Sequence, residues 1–217
     1  MLFLNRKEKK MKLENALHLL RAAKEITQKL NFLIVGSQAI VADKNYKRLE
    51  ENDSVCLNTP ELDLVVFDKI GNDMVVDEES GDYADWNLGE LSRFNETHGY
   101  YIQAVDLTTS KLFNGWENRL NKIQQDYADN FFISLEDIVL SKLYANREKD
   151  IDYVNDLNRN NMIDFDLINK IIDKEILLID KNESELDKNI VLKIQNRIRN
   201  LQNVQNSPKT IKQRNGL

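Results

Sequence analysis

The sequence predicts an α+β fold in which a sheet flanked by helices comes first and a C-terminal helical bundle follows. Strand candidates appear only in the first half of the chain, whereas after about residue 130 apolar residues at helical spacing dominate. We therefore expect an α/β core over residues 1–125 and a helical domain over residues 126–217. With 217 residues, 41% of them apolar, the chain fits one domain or two small ones and is not a disordered sequence.

The first unit of the chain has the pattern helix, strand, turn, helix. Apolar residues recur every three or four positions over residues 11–30, which predicts an amphipathic helix that Asn31 ends. Residues 32–35 are continuously apolar and predict a buried strand. Gly36 and Ser37 break this run, and residues 38–42 are predicted to open a second helix.

Two further strands are predicted before residue 110, at residues 62–67 and 100–107. Between them, residues 73–90 contain seven Asp or Glu and no basic residue, a pattern typical of a solvated loop. Residues 112–116 predict a turn that packs an aromatic side chain against the core.

Capping residues divide the second half into helices. Ser134, followed three positions later by Asp137, predicts a helix that continues through residue 157. Asp164 and Ser184 are predicted to cap two more helices, the last of which Pro208 ends.

Composition narrows the class of protein. A single cysteine, Cys56, excludes an intrachain disulfide and favours a reducing cytoplasm. No apolar run reaches the roughly 18 residues of a membrane helix, so no membrane partner is expected. The net charge of −6 conceals a basic end, because residues 188–217 hold seven Lys or Arg and no Asp or Glu. Such a segment is either a solvated helix with a tail or a contact for nucleic acid or an acidic partner.

Three features could carry chemistry in the α/β half. Gly36 permits a tight turn, and with Ser37 at a helix start it could hold phosphates, although the same pair fits an ordinary strand-to-helix turn. Glu61 and Asp63 are two apart on a strand and therefore share a face, where they could bind Mg²⁺ or simply face solvent. Asp106 could complete this carboxylate cluster, bind a second metal or accept a proton, or it could cap the strand end.

A fourth feature lies in the helical half. Lys149 and Asp150 follow Lys142 by about two helical turns, so one helix face could present all three. Cations facing the carboxylates could hold phosphates, or they could form solvated ion pairs. His98, Cys56, Trp86 and Trp116 are interpreted as structural residues.

Taken together, these residues resemble the nucleotidyltransferase-fold superfamily, and one uncharacterised bacterial branch of it most closely. Six motifs in order carry the resemblance: Gly-Ser-Gln-Ala-Ile, Glu-x-Asp, Gly-Glu-x-Ser-x-Phe, Gly-Tyr-Tyr, Gly-Trp-x-x-Arg-Leu and Lys-Leu-x-Ala-x-Arg-Glu-Lys-Asp. They lie at residues 36–40, 61–63, 89–94, 99–101, 115–120 and 142–150. The superfamily includes AbiEii-like toxins of toxin–antitoxin and phage-defence systems, in which a similar basic helical element works with an acidic core.

The resemblance implies a nucleotidyltransferase-like mixed sheet and transfer of an NMP from an NTP to a hydroxyl of RNA, such as tRNA, or of protein. Glu61, Asp63 and Asp106 would hold Mg²⁺ or Mn²⁺, and Gly36, Ser37, Arg147 and Lys149 would bind the nucleotide. Lys142 and Asp150 would join the three acids in catalysis. A toxin role would imply a cognate antitoxin.

The departures are Glu61, where many active members have Asp, and Gln38, where they have Gly or Ser. The alternative is an inactive member that serves as a nucleotide sensor or as an interaction module for protein or nucleic acid.

Overall fold

The computed structural model describes residues 10–71 and 73–206 and has the predicted α+β architecture. The strands are β1 (Asn31–Ile34), β2 (Glu61–Ile70), β3 (Asp73–Val76), β4 (Tyr101–Ala104), β5 (Asn121–Gln125) and β6 (Ala128–Phe132). The α-helices are α1 (Leu13–Thr27), α2 (Lys47–Glu51), α3 (Glu78–Leu88), α4 (Arg93–His98), α5 (Leu135–Ala145), α6 (Glu148–Arg159), α7 (Phe165–Asp180) and α8 (Lys188–Asn206).

The six strands form one mixed sheet in the order β3-β2-β1-β6-β5, and β4 pairs with the beginning of β2. Strand β1 is antiparallel to β2 and parallel to β6, while β2 and β4 are parallel. Strand β1 is almost entirely buried because it has a neighbour on each side and helices over the sheet, which explains its uninterrupted apolar sequence.

A single apolar core joins the sheet to the C-terminal helices. Buried side chains of β1 and β2 belong to the same cluster as Ile138 of α5, Ile172 of α7 and Ile194 of α8. Helix α7 begins as predicted, because the Asp164 carboxylate accepts the backbone N–H of Leu167 at 3.0 Å.

The prediction that strands are confined to the first half was wrong. Strands β5 and β6 were not predicted, and the expected boundary at residues 125 and 126 falls inside the hairpin that joins them. Polar residues such as Asn121, Asp129 and Asn130 obscure their apolar pattern. Strand β6 forms because β1, nearly a hundred positions earlier, offers it a parallel neighbour.

The acidic stretch is ordered, contrary to the predicted loop. Residues Asp73–Val76 form β3 and Glu78–Leu88 form α3. Asp77 caps this helix by accepting the Ser80 backbone N–H at 2.9 Å, and acidic residues in the first turn favour the positive end of the helix dipole. Ala84 and Leu88 bury the opposite face.

Several helix boundaries differ from the prediction. Helix α1 ends at Gln28, in a left-handed conformation with φ of 57°, and Asn31 begins β1 instead of ending the helix. Asp187, not Ser184, caps α8, because its Oδ1 accepts the backbone N–H of Asn189 at 2.8 Å. Pro208 and the basic residues Lys209, Lys212 and Arg214 lie outside the described residues.

The helix predicted to run from residue 135 to residue 157 is two helices. Asn146 adopts a left-handed conformation with φ of 55°, which ends α5, and α6 starts at Glu148. Lys142 and Asp150 therefore do not share a face of one helix. They meet because the chain bends between them.

Candidate active site

A cleft of about 580 Å³ lies where the end of β1 and the beginning of β2 meet α5 and α6. Its volume is within the range of about 300–1,000 Å³ that is usual for small-molecule sites. The sequence-predicted residues that line it are Gly36, Ser37, Glu61, Asp63, Lys142, Arg147, Lys149 and Asp150. The fold thus brings together eight of the nine candidate residues.

Gly36 and Asp63 touch across neighbouring strands. Gly36 has a φ of 69°, a conformation that favours glycine, and a Cβ added to it would overlap the Oδ2 of Asp63. The backbone N–H of Val35 donates to the Asp63 carbonyl at 3.1 Å, so the two segments are held side by side. The glycine is required here by the close approach of a carboxylate.

Glu61 and Asp63 share a face of β2, as strand alternation predicts. Burial raises the pKa of Asp63 well above its usual range, and the adjacent, hydrogen-bonded Glu61 raises it further. Lys142 and Lys149 act in the opposite direction and lower this pKa, so both cations are near enough to influence the carboxylate. Two acids and two cations therefore face one another in the cleft.

The carboxylate pair fits a divalent cation that also binds a substrate. Mg²⁺ is usually held by one or two carboxylates together with phosphate oxygens, rather than by a cage of protein ligands alone. Among the described residues, no group of three or more His, Cys, Asp or Glu side chains is arranged to hold a metal. Glu61 and Asp63 supply two carboxylates, the number that Mg²⁺ takes from a protein when phosphate oxygens complete its coordination.

Asp106 does not join this pair. Strand β4 does lie beside β2, but its register places Gln103 opposite Asp63, and Gln103 and Val105 line the cleft. Asp106 lies an odd number of residues from Gln103 and Val105, so it does not share their face. Its side chain is exposed and accepts the Thr108 backbone N–H at 2.6 Å, as the cap of a short 3₁₀ helix. Asp106 therefore caps the chain after the end of β4, which is the second of the two interpretations that the sequence allowed.

The cations of the cleft are organised by Asp150. Its side chain is buried and accepts hydrogen bonds from Lys142 Nζ at 3.1 Å and Arg147 Nε at 2.6 Å. Burial alone would raise the pKa of Asp150, but the bonds from Arg147 and Lys142 outweigh it and the pKa is lowered. Asp150 is thus an ionised anchor that positions Lys142 and Arg147.

Two tyrosines support the site, and sequence reasoning assigned neither a role. Tyr153 of α6 donates its hydroxyl hydrogen to the Ser37 carbonyl at 2.7 Å, and Lys142 Nζ lies 4.3 Å from the centre of its ring. Tyr101 of β4 donates to Glu61 Oε2 at 3.2 Å. Tyr101 lies within a motif quoted above, whereas only the tertiary contact distinguishes Tyr153 from other helical tyrosines.

The helix predicted after Gly36 is a six-residue 3₁₀ helix, Ser37–Ala42. So short a helix has little dipole, which leaves the Ser37 hydroxyl and the turn itself as contacts for an anion. Gln38 is buried and donates to the Cys56 carbonyl at 3.1 Å, away from the cleft. Burial raises the pKa of the Cys56 thiol to about 12, so this cysteine is unreactive.

Two other motifs have structural roles. His98 packs in an aromatic cluster with His18, Phe94 and Tyr100. Arg119 forms a bidentate pair with the buried Asp137 of α5, with contacts of 3.0 and 2.6 Å.

The two tryptophans differ in how far they are buried. Trp116 packs against the core, as predicted for the turn at residues 112–116. Trp86, interpreted from the sequence as a packing residue or a loop anchor, lies on α3 and is 85% exposed.

A family model described as "Nucleotidyltransferase of unknown function (DUF6036)" matches residues 11–202. The match covers most of the 217 residues, so the chain belongs to this family. No curated protein and no solved structure matches the chain. The family match confirms the resemblance to nucleotidyltransferases, whereas the relation to AbiEii-like toxins stays a prediction. No helix within the described part of the chain is long and apolar enough to cross a membrane.

Proposed function

We propose that this member of the DUF6036 nucleotidyltransferases transfers a nucleoside monophosphate from a nucleoside triphosphate to an acceptor hydroxyl. The observation that carries the proposal is one cleft whose lining brings the carboxylate pair together with Lys142, Lys149 and Arg147. Carboxylates suit a divalent cation, and lysine and arginine suit phosphates. A cleft with both is matched to a metal-bound triphosphate.

Each residue has a distinct part in this reaction. Glu61 and Asp63 would hold Mg²⁺ or Mn²⁺, which when bound supplies positive charge to the phosphates. The Ser37 hydroxyl and the Gly36 turn lie beside this pair and would contact the triphosphate. Lys142 and Lys149 would stabilise the negative charge that develops as pyrophosphate leaves.

Arg147 and Asp150 act less directly. Asp150 holds Lys142 and Arg147 across the bend between α5 and α6 and is a positioning residue. Lys149 makes no ion pair with the described residues, which leaves its charge available for a phosphate.

The test compares wild type with Asp63→Asn, which keeps the side-chain volume and removes the charge. Calorimetry with ATP, GTP, CTP and UTP plus Mg²⁺ measures binding, and α-labelled NTPs with tRNA and protein acceptors measure transfer. We expect Mg²⁺-dependent NTP binding that Asp63→Asn weakens at least about tenfold, because metal affinity depends on ligand charge. Equal binding by both proteins would exclude the proposed metal role.

A second candidate is a nucleotide sensor that binds an NTP without turnover. The observation that favours it is Gln103, which occupies the position beside Asp63 where a third carboxylate was expected. Tight Mg²⁺–NTP binding with no label on any acceptor would favour this candidate. Gln103→Asp then tests whether an acid at this position restores transfer.

The toxin role is proposed only from the resemblance to AbiEii-like proteins. Induced expression of the wild type would arrest growth, and Asp63→Asn would not. Arrest by both variants would separate toxicity from nucleotide chemistry.

A further inference from the structure

A groove of about 490 Å³ lies on the other side of Glu61 from the cations of the cleft. The end of α3, the connection to α4 and the strand β4 form its walls. Glu61 and Gln103 line both cavities, so a molecule in the groove would contact one member of the carboxylate pair directly. The residues that line it include Glu61, Asp85, Trp86, Glu90 and Leu91.

Large apolar side chains are exposed along this groove. Trp86 is 85% exposed and Leu91 is 80% exposed. Tyr83, three residues before Trp86 on α3 and therefore on a neighbouring part of the same face, is 54% exposed. Clustered exposed apolar groups mark interaction sites on soluble proteins.

The backbone presents Leu91 in an unusual way. Its φ is 66°, a left-handed conformation that is rare for leucine, and its N–H donates to Asn95 Oδ1 at 3.3 Å. Ser92 caps α4 directly after it by accepting the Asn95 N–H at 3.1 Å. The connection is therefore held in a defined shape that projects an apolar side chain beside the groove.

The negative charge of the groove favours a basic ligand over an acidic one. Glu61, Asp85 and Glu90 line it, and residues 73–92 contain no Lys or Arg. A nucleic-acid backbone would bring phosphates against these carboxylates, whereas an arginine- or lysine-containing polypeptide would be attracted. The exposed Trp86 suits both the aliphatic part of such side chains and an arginine plane.

We propose that this groove binds the acceptor, and that the acceptor is a polypeptide segment with basic and apolar side chains around a Ser, Thr or Tyr hydroxyl. This inference rests on the proposed function. The acceptor oxygen forms a bond to the α-phosphorus, the bond from that phosphorus to the bridging oxygen breaks, and pyrophosphate leaves. The hydroxyl proton is released to water, and the product is a phosphodiester-linked nucleotidyl polypeptide.

The probe is a fluorescein-labelled peptide of alternating Arg, Leu and Ser. Its controls are the same peptide with Glu for Arg and a single-stranded RNA of similar length. Anisotropy measures binding, and transfer from α-labelled NTP measures reaction. We expect the Arg peptide to bind and to be labelled, with binding that weakens as salt rises, and the two anionic probes to do neither.

Variants locate the binding site. Trp86→Ala and Glu90→Lys change exposed side chains of the groove. Each should lower kcat/KM for the peptide about tenfold or more, the loss expected for a central anchor of an interface. Neither should change the Kd for Mg²⁺–NTP. Tyr127→Ala, which is 89% exposed at the β5–β6 turn, and Glu25→Lys on α1 are matched controls that should have no effect.

Each other outcome counts against a specific claim. If Mg²⁺–NTP binds and RNA is labelled in preference to the Arg peptide, the acceptor proposal is wrong and the nucleotide chemistry stands. Peptide labelling that is indifferent to Trp86→Ala would place the acceptor elsewhere. If wild type binds no NTP, the proposed function fails and this inference fails with it.

Discussion

The two walls of the cleft are held in place in different ways. On the sheet wall, backbone geometry sets the position of Asp63, because the strands pair at this point and Gly36 lies in contact with the carboxylate. On the helical wall, ion pairs to the buried Asp150 set the positions of Lys142 and Arg147. On the sheet wall there is no room for an added carbon atom between Gly36 and Asp63. On the helical wall, loss of the Asp150 charge would break both ion pairs.

This difference predicts which substitutions each wall tolerates. A small steric change should damage the sheet wall, and an isosteric change that removes a charge should damage the helical wall. Loss of the contact between Gly36 and Asp63 should therefore cost the most, and loss of one long hydrogen bond the least.

Gly36→Ala should abolish the site. The new Cβ would overlap Asp63 Oδ2, so the strand end and the carboxylate must move apart. A displacement of this size costs about 100-fold in activity or more. Label transfer and Mg²⁺–NTP calorimetry measure the effect.

Gly71→Ala is the matched control for this substitution, because Gly71 also has a positive φ, of 65°, but nothing lies within 4 Å of its added Cβ. Binding by Gly36→Ala that equals that of the control would contradict the steric account of the sheet wall.

Asp150→Asn should destabilise the protein by about 2 kcal/mol, because the buried carboxylate loses its charge-assisted hydrogen bonds to the largely buried Lys142 and to the more exposed Arg147. Lys142 would lose its anchor while the shape of the side chain is preserved. Urea unfolding measures the change. Asp73→Asn, an exposed carboxylate on β3, is the control and should change the free energy of unfolding by less than about 0.5 kcal/mol.

The same substitution has a defined pH dependence. The pKa of Asp150 is lowered in the folded protein, so its contribution to stability is present above the unfolded pKa of about 4. That contribution is lost as pH falls through the lower folded pKa. The free-energy difference between wild type and Asp150→Asn should be constant from about pH 5 to pH 8 and should shrink below about pH 4. A constant difference down to pH 2 would argue against an ionised anchor.

Tyr153→Phe tests the link between the walls. The Tyr153 hydroxyl donates to the Ser37 carbonyl, so its loss removes one hydrogen bond and about 1 kcal/mol of stability. We expect weaker Mg²⁺–NTP binding, because the turn is no longer held to α6. Tyr127→Phe, at an exposed position, controls for the substitution itself. An unchanged melting temperature and an unchanged Kd would show that the walls are independent.

Tyr101→Phe should have the smallest effect. It removes the bond to Glu61 Oε2, which is long at 3.2 Å, while backbone pairing still holds the carboxylate on β2. A loss of about threefold in metal-dependent NTP binding corresponds to the weaker end of hydrogen-bond contributions. A loss as large as that of Gly36→Ala would mean that side chains, not backbone, position the sheet wall.

Much of the sheet wall could be predicted from the sequence. Strand alternation alone places Glu61 and Asp63 on one face, and a glycine between a strand and a polar residue indicates a turn. Asp106 could not be placed in the same way. Its alignment depends on the register of β4 against β2, and a shift by one residue exchanges the two faces of a strand.

Less of the helical wall could be predicted from the sequence. The residue types Lys142, Arg147, Lys149 and Asp150 are visible in the sequence, but the expected continuous helix is broken at Asn146. No local pattern predicted that Asp150 would be buried between two cations. Strands β5 and β6 were missed for a related reason, since β6 pairs with the distant β1 and β5 is held in the sheet by its pairing with β6.

Periodicity and composition are enough to predict the α+β class, the shared face of the two carboxylates and the presence of several cations. Which groups meet depends on the folded chain: Gln103 rather than Asp106 lies beside Asp63, Asp150 lies between Lys142 and Arg147, and Trp86 lines an acidic groove. Register, bends and exposure depend on contacts between residues that are far apart in the chain, so no local pattern encodes them.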